Sequence, residues 1–243
     1  DDIEMALANG RYTIGLLALD EFEMIATTYH NERYDEEDFL SLFRHTIQHR
    51  PPFKVMLAGS QTLDEFQKWA SYLINVQVVK IGYLTAEENR QLVERPIQNF
   101  ALQYEAEASQ RVLALTRGHP ALVQLLCYEI VTLKNDQDTG LRRRVSIADV
   151  EAAATKALVG GSFFFLDIQQ NQLNAPALSL LRVMAARGEG ALVSRSGLAN
   201  QIPHTGDVEQ TLALLLRRDV VEAVDNGYRF QVELIRRWFA QTS

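Results

Sequence analysis

Cysteine is almost absent from this sequence, since Cys127 is the single one among 243 residues. One cysteine excludes a disulfide framework and a metal site built from cysteines. Cys127 lies within an apolar helical pattern, so we interpret it as a buried, inert thiol rather than as a nucleophile.

Long apolar runs and a signal peptide are also missing. No run approaches the roughly 20 apolar residues that a membrane-spanning helix needs. We therefore expect a soluble, cytoplasmic protein with no membrane partner. The formal net charge of −7 argues against a broad nucleic-acid surface and leaves a local basic patch as the remaining option. Nearly half of the residues are apolar, which is enough for a sizeable core in roughly two or three small domains.

The most informative stretch runs from Ile14 to Glu23, where an apolar run ends in three carboxylates within four positions. A short apolar run with polar ends is typical of a parallel strand that is buried on both faces. Such a strand cannot hold charge in its middle, so we predict that Asp20 and Glu21 lie at its carboxyl end, where open α/β sheets bind ligands. One carboxylate can hold a magnesium ion and the other can orient or deprotonate a water. The alternative is a strand that ends in a solvated acidic turn.

Further strand signals alternate with helical ones. Phe53–Ser60 predicts a second buried strand, after a helix over residues 39–48 that Pro51-Pro52 ends. We expect the two strands to be parallel, with a right-handed crossover. A capping box that begins at Thr62 predicts the next helix, and Val76–Ile81 predicts a third strand nearer an edge of the sheet.

From Thr85 onward the pattern is helical, and we predict no strand for more than about a hundred residues. Capping boxes at Thr85 and Ser146, together with the glycine stops, predict four helices before residue 161. We interpret the apolar cluster Phe163–Leu166 as packing between modules rather than as a strand. The last segment then has helical patterns, a hairpin at Asp225-Asn226-Gly227 and an amphipathic helix, an order typical of a winged-helix module.

The stretch that ends in Asp20 and Glu21 resembles the Walker B motif of P-loop nucleotide triphosphatases, in which four apolar residues precede Asp-Glu. The order of elements is similar to that of the AAA+/STAND class, and to its bacterial and archaeal ATPases with a Leu-Asp-Glu-Phe Walker B in particular. This resemblance implies that Asp20 holds the magnesium ion and that Glu21 is the catalytic base. It also implies that Ser60 senses the γ-phosphate, the alternative being a plain Gly-Ser turn.

The lid of this class carries a Gly-x-Pro signature where a helix begins near the adenine. The matching stretch here is Arg117-Gly118-His119-Pro120. By this resemblance Pro120 and its neighbours, Gly118 among them, pack the adenine and ribose of ATP or ADP, and Arg117 or His119 lies near the phosphates. The alternative is a glycine stop followed by a proline start, with His119 on the surface.

The fold class implied by the resemblance is α/β followed by all-α. We expect the C-terminal part of a P-loop α/β domain with a partial parallel sheet over residues 1–83. A helical lid over 84–160 and a winged-helix domain over 161–243 complete the expected organisation.

The resemblance has two departures. The sequence contains no Gly-x-x-x-x-Gly-Lys-Ser/Thr loop, which cradles the phosphates in this class and comes before Walker B. We therefore expect a fragment that lacks this loop and that binds nucleotide poorly or not at all by itself. Many STAND proteins place a histidine near the end of the winged helix, and the matching stretch, Tyr228–Glu233, has none.

The function we expect is a regulatory ATPase module of a signalling or defence protein, in which the nucleotide sets the orientation of lid and winged helix. Its expected partners are the nucleotide and either further copies of the chain or an effector domain in the same chain. The alternative is a non-catalytic winged-helix scaffold that binds DNA or protein. DNA is not favoured, because the recognition-helix candidate opens with Asp207 and Glu209 and the wing tip carries Asp225.

Overall fold

The computed structural model describes residues 5–7, 9–10, 12–22, 24, 36–59, 76–199, 207–225 and 227–241. The chain divides into two compact units, residues 1–80 and residues 81–243. The first unit contains two parallel strands and the helix that connects them in sequence: β1 (Gly15–Leu19), α1 (Glu36–His49) and β2 (Phe53–Leu57). The predicted α/β character and the parallel pairing are therefore confirmed.

The two strands of the first unit are in register, since Gly15 pairs with Phe53 and Leu19 pairs with Leu57. Their carboxyl ends therefore lie side by side. Helix α1 contributes the buried side chains Leu40 and Phe43, which are 1% and 6% exposed.

The expectation that β1 is buried on both faces is wrong for the described residues. Leu16 is 63% exposed and Leu17 is 42% exposed. The physical reason is that the described elements, two strands and one helix, cover only part of the two faces of the parallel pair.

The predicted third strand, Val76–Ile81, is also wrong. These residues form no strand, and all of them except Val76 are exposed, with Val79 75% exposed and Ile81 92% exposed. Their residue types favour a strand, but a strand forms only where a neighbouring backbone completes the ladder. The helix predicted from Thr62 lies outside the described residues, and so does Ser60.

The second unit begins with helices. Its first part contains α2 (Ala86–Glu94), β3 (Gln103–Tyr104), α3 (Ala106–Thr116), α4 (Pro120–Asn135), β4 (Arg144–Val145) and α5 (Ile147–Gly160). The capping boxes of Thr85 with Glu88 and of Ser146 with Asp149 are both formed, as predicted. The expectation of no strand in this part is wrong, because β3 and β4 make a short parallel pair. No helix in the described part of the chain is long and apolar enough to cross a membrane.

The second part of this unit contains the predicted hairpin between helices. Its elements are α6 (Ser162–Asp167), a π-helical turn (Ile168–Gln172), α7 (Ala175–Ala185), α8 (Arg195–Ala199), α9 (Val208–Arg217), β5 (Val221–Val224), β6 (Gly227–Phe230) and α10 (Glu233–Gln241). Strands β5 and β6 are antiparallel, and Val193 bridges to Tyr228 beside them. The apolar cluster at 163–166 is helical, and within it Phe165 is fully buried whereas Phe163 is 86% exposed.

One hydrophobic core runs through both parts of the second unit. Its fully buried side chains include Leu115, Leu122, Leu126, Ile130, Phe165, Leu180, Leu181, Leu215 and Phe239. Ion pairs cross the same region, since Glu151 of α5 accepts from Arg111 of α3 at 2.6 Å and from Arg237 of α10 at 2.7 Å. The division at residue 160 stays a prediction.

Asp149 makes the stability of the second unit sensitive to acid. Burial of its carboxyl group raises the pKa, but hydrogen bonds from Ser146, Gln137 and Lys134 outweigh that effect and lower the pKa to about 2. A carboxylate with a lowered pKa stabilises the fold above its ordinary pKa of about 4, and this contribution is lost as the pH falls towards about 2. Lys134 Nζ lies 3.1 Å from the carboxylate, and the lysine is 2% exposed.

We expect Asp149→Asn to lower the free energy of unfolding by about 2 kcal/mol at pH 7, because it breaks a capping box and leaves the Lys134 ammonium buried without its counter-charge. The variant should also lose much less stability than the parent protein between about pH 5 and pH 2. Urea unfolding across this pH range measures both effects. Asp138→Asn removes an exposed carboxylate of the preceding turn and serves as the control; an equal effect there would contradict the assignment.

Candidate functional site

The first group of predicted site residues lies directly after β1. Leu19 is the last residue of the strand, and its carbonyl oxygen accepts from Ala58 N at 2.8 Å. Phe22 N donates back to Ala58 O at 3.1 Å. These two backbone hydrogen bonds hold the carboxyl ends of both strands together. Asp20 and Glu21 therefore lie beside Ala58 at the carboxyl edge of the parallel pair. Both acidic residues are exposed.

The backbone at Glu21 has an unusual conformation. Its φ is +51°, in the left-handed region that costs a residue with a Cβ about 1–2 kcal/mol. The turn is held by Glu21 N, which donates to Asp20 Oδ1 at 3.0 Å, and by Met24 N, which donates to Glu21 O at 2.9 Å. Strained backbone of this kind is concentrated at functional sites.

An adjacent pair of exposed carboxylates suits a hard divalent cation. Magnesium is usually bound through one or two carboxylates together with water and substrate phosphates, rather than in a complete protein cage. In the described parts of the chain no group of three or more His, Cys, Asp or Glu side chains is placed to hold a metal. The donor set at Asp20 and Glu21 therefore fits a magnesium ion that takes most of its ligands from water and phosphate.

The second group of predicted residues forms the turn between α3 and α4. Arg117 and Gly118 both have left-handed backbone, with φ of +55° and +77°. Gly118 O accepts from Leu84 N at 2.8 Å, which ties the turn to the segment before α2. His119 is the N-cap residue and Pro120 is the first residue of α4, where a missing N–H costs nothing.

His119 is half-buried and is packed among aromatic rings. The alternative prediction, a histidine on the surface, is therefore wrong. Its ring centroid lies 5.1 Å from that of Tyr83 and 5.4 Å from that of Phe164. Burial lowers the pKa of His119, and its Nδ1 is buried without a hydrogen-bond partner among the described residues. His119 therefore acts here as a packing group between the rings of Tyr83 and Phe164.

Arg117 extends toward the hairpin. Its Nη2 donates to Glu222 Oε2 of β5 at 3.3 Å, and Arg229 Nε of β6 donates to Glu222 Oε1 at 2.6 Å. One carboxylate thus holds two guanidinium groups. The side chains of Arg117 and His119 therefore have different surroundings. Arg117 binds Glu222 of the hairpin, whereas the ring of His119 lies against Tyr83 and Phe164.

The roles of Glu222 and Arg229 were not predicted from the sequence, although a signal existed. In the hairpin, Glu222 lies directly opposite Arg229, and opposite charges at facing positions attract. The contact of Glu222 with Arg117 had no such signal, because 105 residues separate the two.

No family model matches the sequence, and no curated protein does either. Among solved structures, the Walker-type ATPase PABY2304 of Pyrococcus abyssi is 18% identical, with a TM-score of 0.58, over 92% of this chain and 62% of that one. The RuvB Holliday junction branch migration motor of Thermotoga maritima is 16% identical, with a TM-score of 0.46, over 95% of this chain and 72% of that one. The clamp loader delta protein of Bacillus subtilis is 15% identical, with a TM-score of 0.33, over 99% of this chain and 70% of that one.

The likeness to the Pyrococcus protein shows the fold. The chain shares its fold with this Walker-type ATPase and spans 62% of the length of that protein. The α/β class expected from the sequence is confirmed, and the expected resemblance to ATPases is supported at the level of the fold.

Proposed function

We propose that this chain is the ATP-binding and ATP-hydrolysing switch module of an AAA+/STAND-class ATPase. The observation that carries the proposal is the position of Asp20 and Glu21. They follow a parallel strand at its carboxyl end, where α/β folds bind ligands, and the strand belongs to a fold shared with a Walker-type ATPase.

In this proposal Asp20 provides a carboxylate oxygen for a magnesium ion, and the ion supplies charge stabilisation for the transferred phosphoryl group. Glu21 accepts a hydrogen bond from the attacking water and orients it or takes its proton. Ser60 would report the γ-phosphate, and Gly118 and Pro120 would pack the adenine and ribose. Roles for Arg117 and His119 near the phosphates require these side chains to leave their present partners.

The residues 1–83, 84–160 and 161–243 would be the C-terminal part of the α/β domain, the lid and the winged helix. We propose that the phosphate loop, absent from the sequence, is supplied by a segment outside residues 1–243. The nucleotide would set the orientation of the lid and the winged helix. These two parts would move together, because Glu151 is bound both to Arg111 and to Arg237. A cytoplasmic location, and assembly into a homo-oligomer or with an effector domain, stay predictions.

The alternative, a scaffold that reads DNA through its winged helix, gains little support from the described surface. The start of α9 is acidic, and Glu209 there forms an ion pair with Arg195 of α8, which neutralises that arginine. A DNA-reading helix needs basic side chains that are available to phosphates and base edges.

Calorimetry with ATP and magnesium tests the proposal, on residues 1–243 and on a longer chain that includes an upstream Gly-Lys-Ser/Thr loop. We expect binding in the longer chain and little or none in residues 1–243, because the loop provides most of the phosphate contacts. Absence of binding in both would overturn the proposal and favour the scaffold.

A further inference from the structure

An open cavity of about 510 Å³ is lined by described residues of the second unit. The start of the lid region forms one wall, with Leu84 and Leu113, and strand β6 forms the other, with Phe230. Arg117 and Arg229 also line it, and Pro120 and His119 do not. Its size is that of a small-molecule site, and its mixture of apolar walls and a few polar groups is typical of one.

The charges around the cavity are unequal in a way that favours an anion. Two of its three carboxylates form ion pairs with arginines that do not line the cavity: Glu189 with Arg111 at 2.5 Å, and Glu233 with Arg236 at 2.7 Å. Arg111 also pairs with Glu151, whose charge is balanced in turn by Arg237 at 2.7 Å. The third carboxylate, Glu222, is shared by Arg117 and Arg229. Two guanidinium groups therefore share one carboxylate. Within the set of Arg117, Arg229 and Glu222, one positive charge is not balanced by a negative one.

The sharing is also uneven. Arg229 donates its Nε to Glu222 at 2.6 Å, whereas the contact of Arg117 is a single long hydrogen bond of 3.3 Å. A guanidinium has five N–H donors in a planar fork that fits a carboxylate or a phosphate through two parallel bonds. The Arg117 side chain is 52% exposed, so its fork is accessible to a ligand in the cavity.

We propose that this cavity binds a small organic anion, with a phosphate or carboxylate head on Arg117 and Arg229 and an apolar body against Leu84, Leu113 and Phe230. Glu222 competes with the head group for both arginines and so weakens the binding. The site uses neither Asp20 nor Glu21, and its occupancy does not depend on the proposed ATPase activity.

Phenyl phosphate, benzoate and inorganic phosphate are suitable test compounds, titrated into residues 1–243 by calorimetry or by NMR chemical shifts. We expect an organic anion to bind more tightly than inorganic phosphate, because only the former has an apolar body. Arg229→Gln and Arg117→Gln should each weaken binding about tenfold, the equivalent of about one charge-assisted hydrogen bond. Glu222→Gln should strengthen binding severalfold, a gain that a misfolded variant cannot produce.

Arg142→Gln removes the same charge from an exposed turn outside the cavity and is the matched control. Three results would overturn the proposal: no binding of any compound to the parent protein or to Glu222→Gln, equal binding in all variants, or inorganic phosphate binding as tightly as the organic anions. Displacement of phenyl phosphate by ATP in the chain that carries the phosphate loop would also overturn it, because the cavity would then be part of the nucleotide site. Preference for phenyl phosphate or for benzoate identifies the head group, and either preference supports the proposal.

Discussion

Glu21→Gln is expected to abolish ATP turnover while ATP binding is retained. Glutamine keeps the size of the side chain and can occupy the same turn, but it cannot accept a proton from water. General base catalysis contributes about a hundredfold to ten-thousandfold to a rate, so turnover should fall by at least about a hundredfold. The experiment needs the longer chain with its phosphate loop. Steady-state phosphate release measures turnover and calorimetry measures ATP binding.

The matched control for this prediction is Asp38→Asn, which removes one exposed carboxylate from α1 in the same unit. Turnover of this variant should stay close to that of the parent. If Glu21→Gln hydrolyses ATP at the parental rate, Glu21 is not the base. If it loses ATP binding as well, the residue acts in binding rather than in the chemical step.

The parts of the fold that could be predicted from the sequence are those with local causes. The helix that starts at Thr85 depends on a hydrogen bond to Glu88, and the one that starts at Ser146 depends on the same arrangement with Asp149. Both pairs are three residues apart, so the sequence displays them directly.

The failures have causes that are distant in sequence. Val76–Ile81 has the composition of a strand, but a strand also needs a partner, and composition does not reveal whether one is in place. Likewise, Tyr104 pairs with Val145, some forty residues later, in a ladder that is too short to leave a pattern. The expected burial of Leu17 failed because burial depends on the elements that cover a strand.

The candidate site divides in the same way. The acids at the end of β1 could be predicted because an apolar run must end before a charge. The left-handed backbone of Glu21 could not, since that conformation is disfavoured for any residue with a Cβ and only its surroundings enforce it. Arg117 was singled out by its place beside the Gly-x-Pro signature, but its partner Glu222 is known only from the folded chain.

Gly118→Ala is expected to destabilise the second unit by about 3 kcal/mol, because two costs combine at this position. Its φ of +77° is unfavourable for any residue with a Cβ. A Cβ here would also lie 2.4 Å from the carbonyl oxygen of Leu84, a backbone atom that cannot rotate away. The same clash would push Leu84 from the turn and break the hydrogen bond from Leu84 N to Gly118 O.

Gly188→Ala separates the two costs. Gly188 has a φ of +95°, and apart from its chain neighbours no atom of the described residues lies within 4 Å of the position its Cβ would take, so this variant bears the backbone cost without the clash. It should lose about 1–2 kcal/mol. Urea unfolding followed by the fluorescence of Trp238, in a Trp69→Phe background, reports on the second unit for both variants. A similar loss in the two would mean that Leu84 moves aside freely. A clearly larger loss at Gly118 would mean that the Gly-x-Pro turn is fixed by its contact with Leu84, and that the glycine is required for packing whether or not a nucleotide binds beside it.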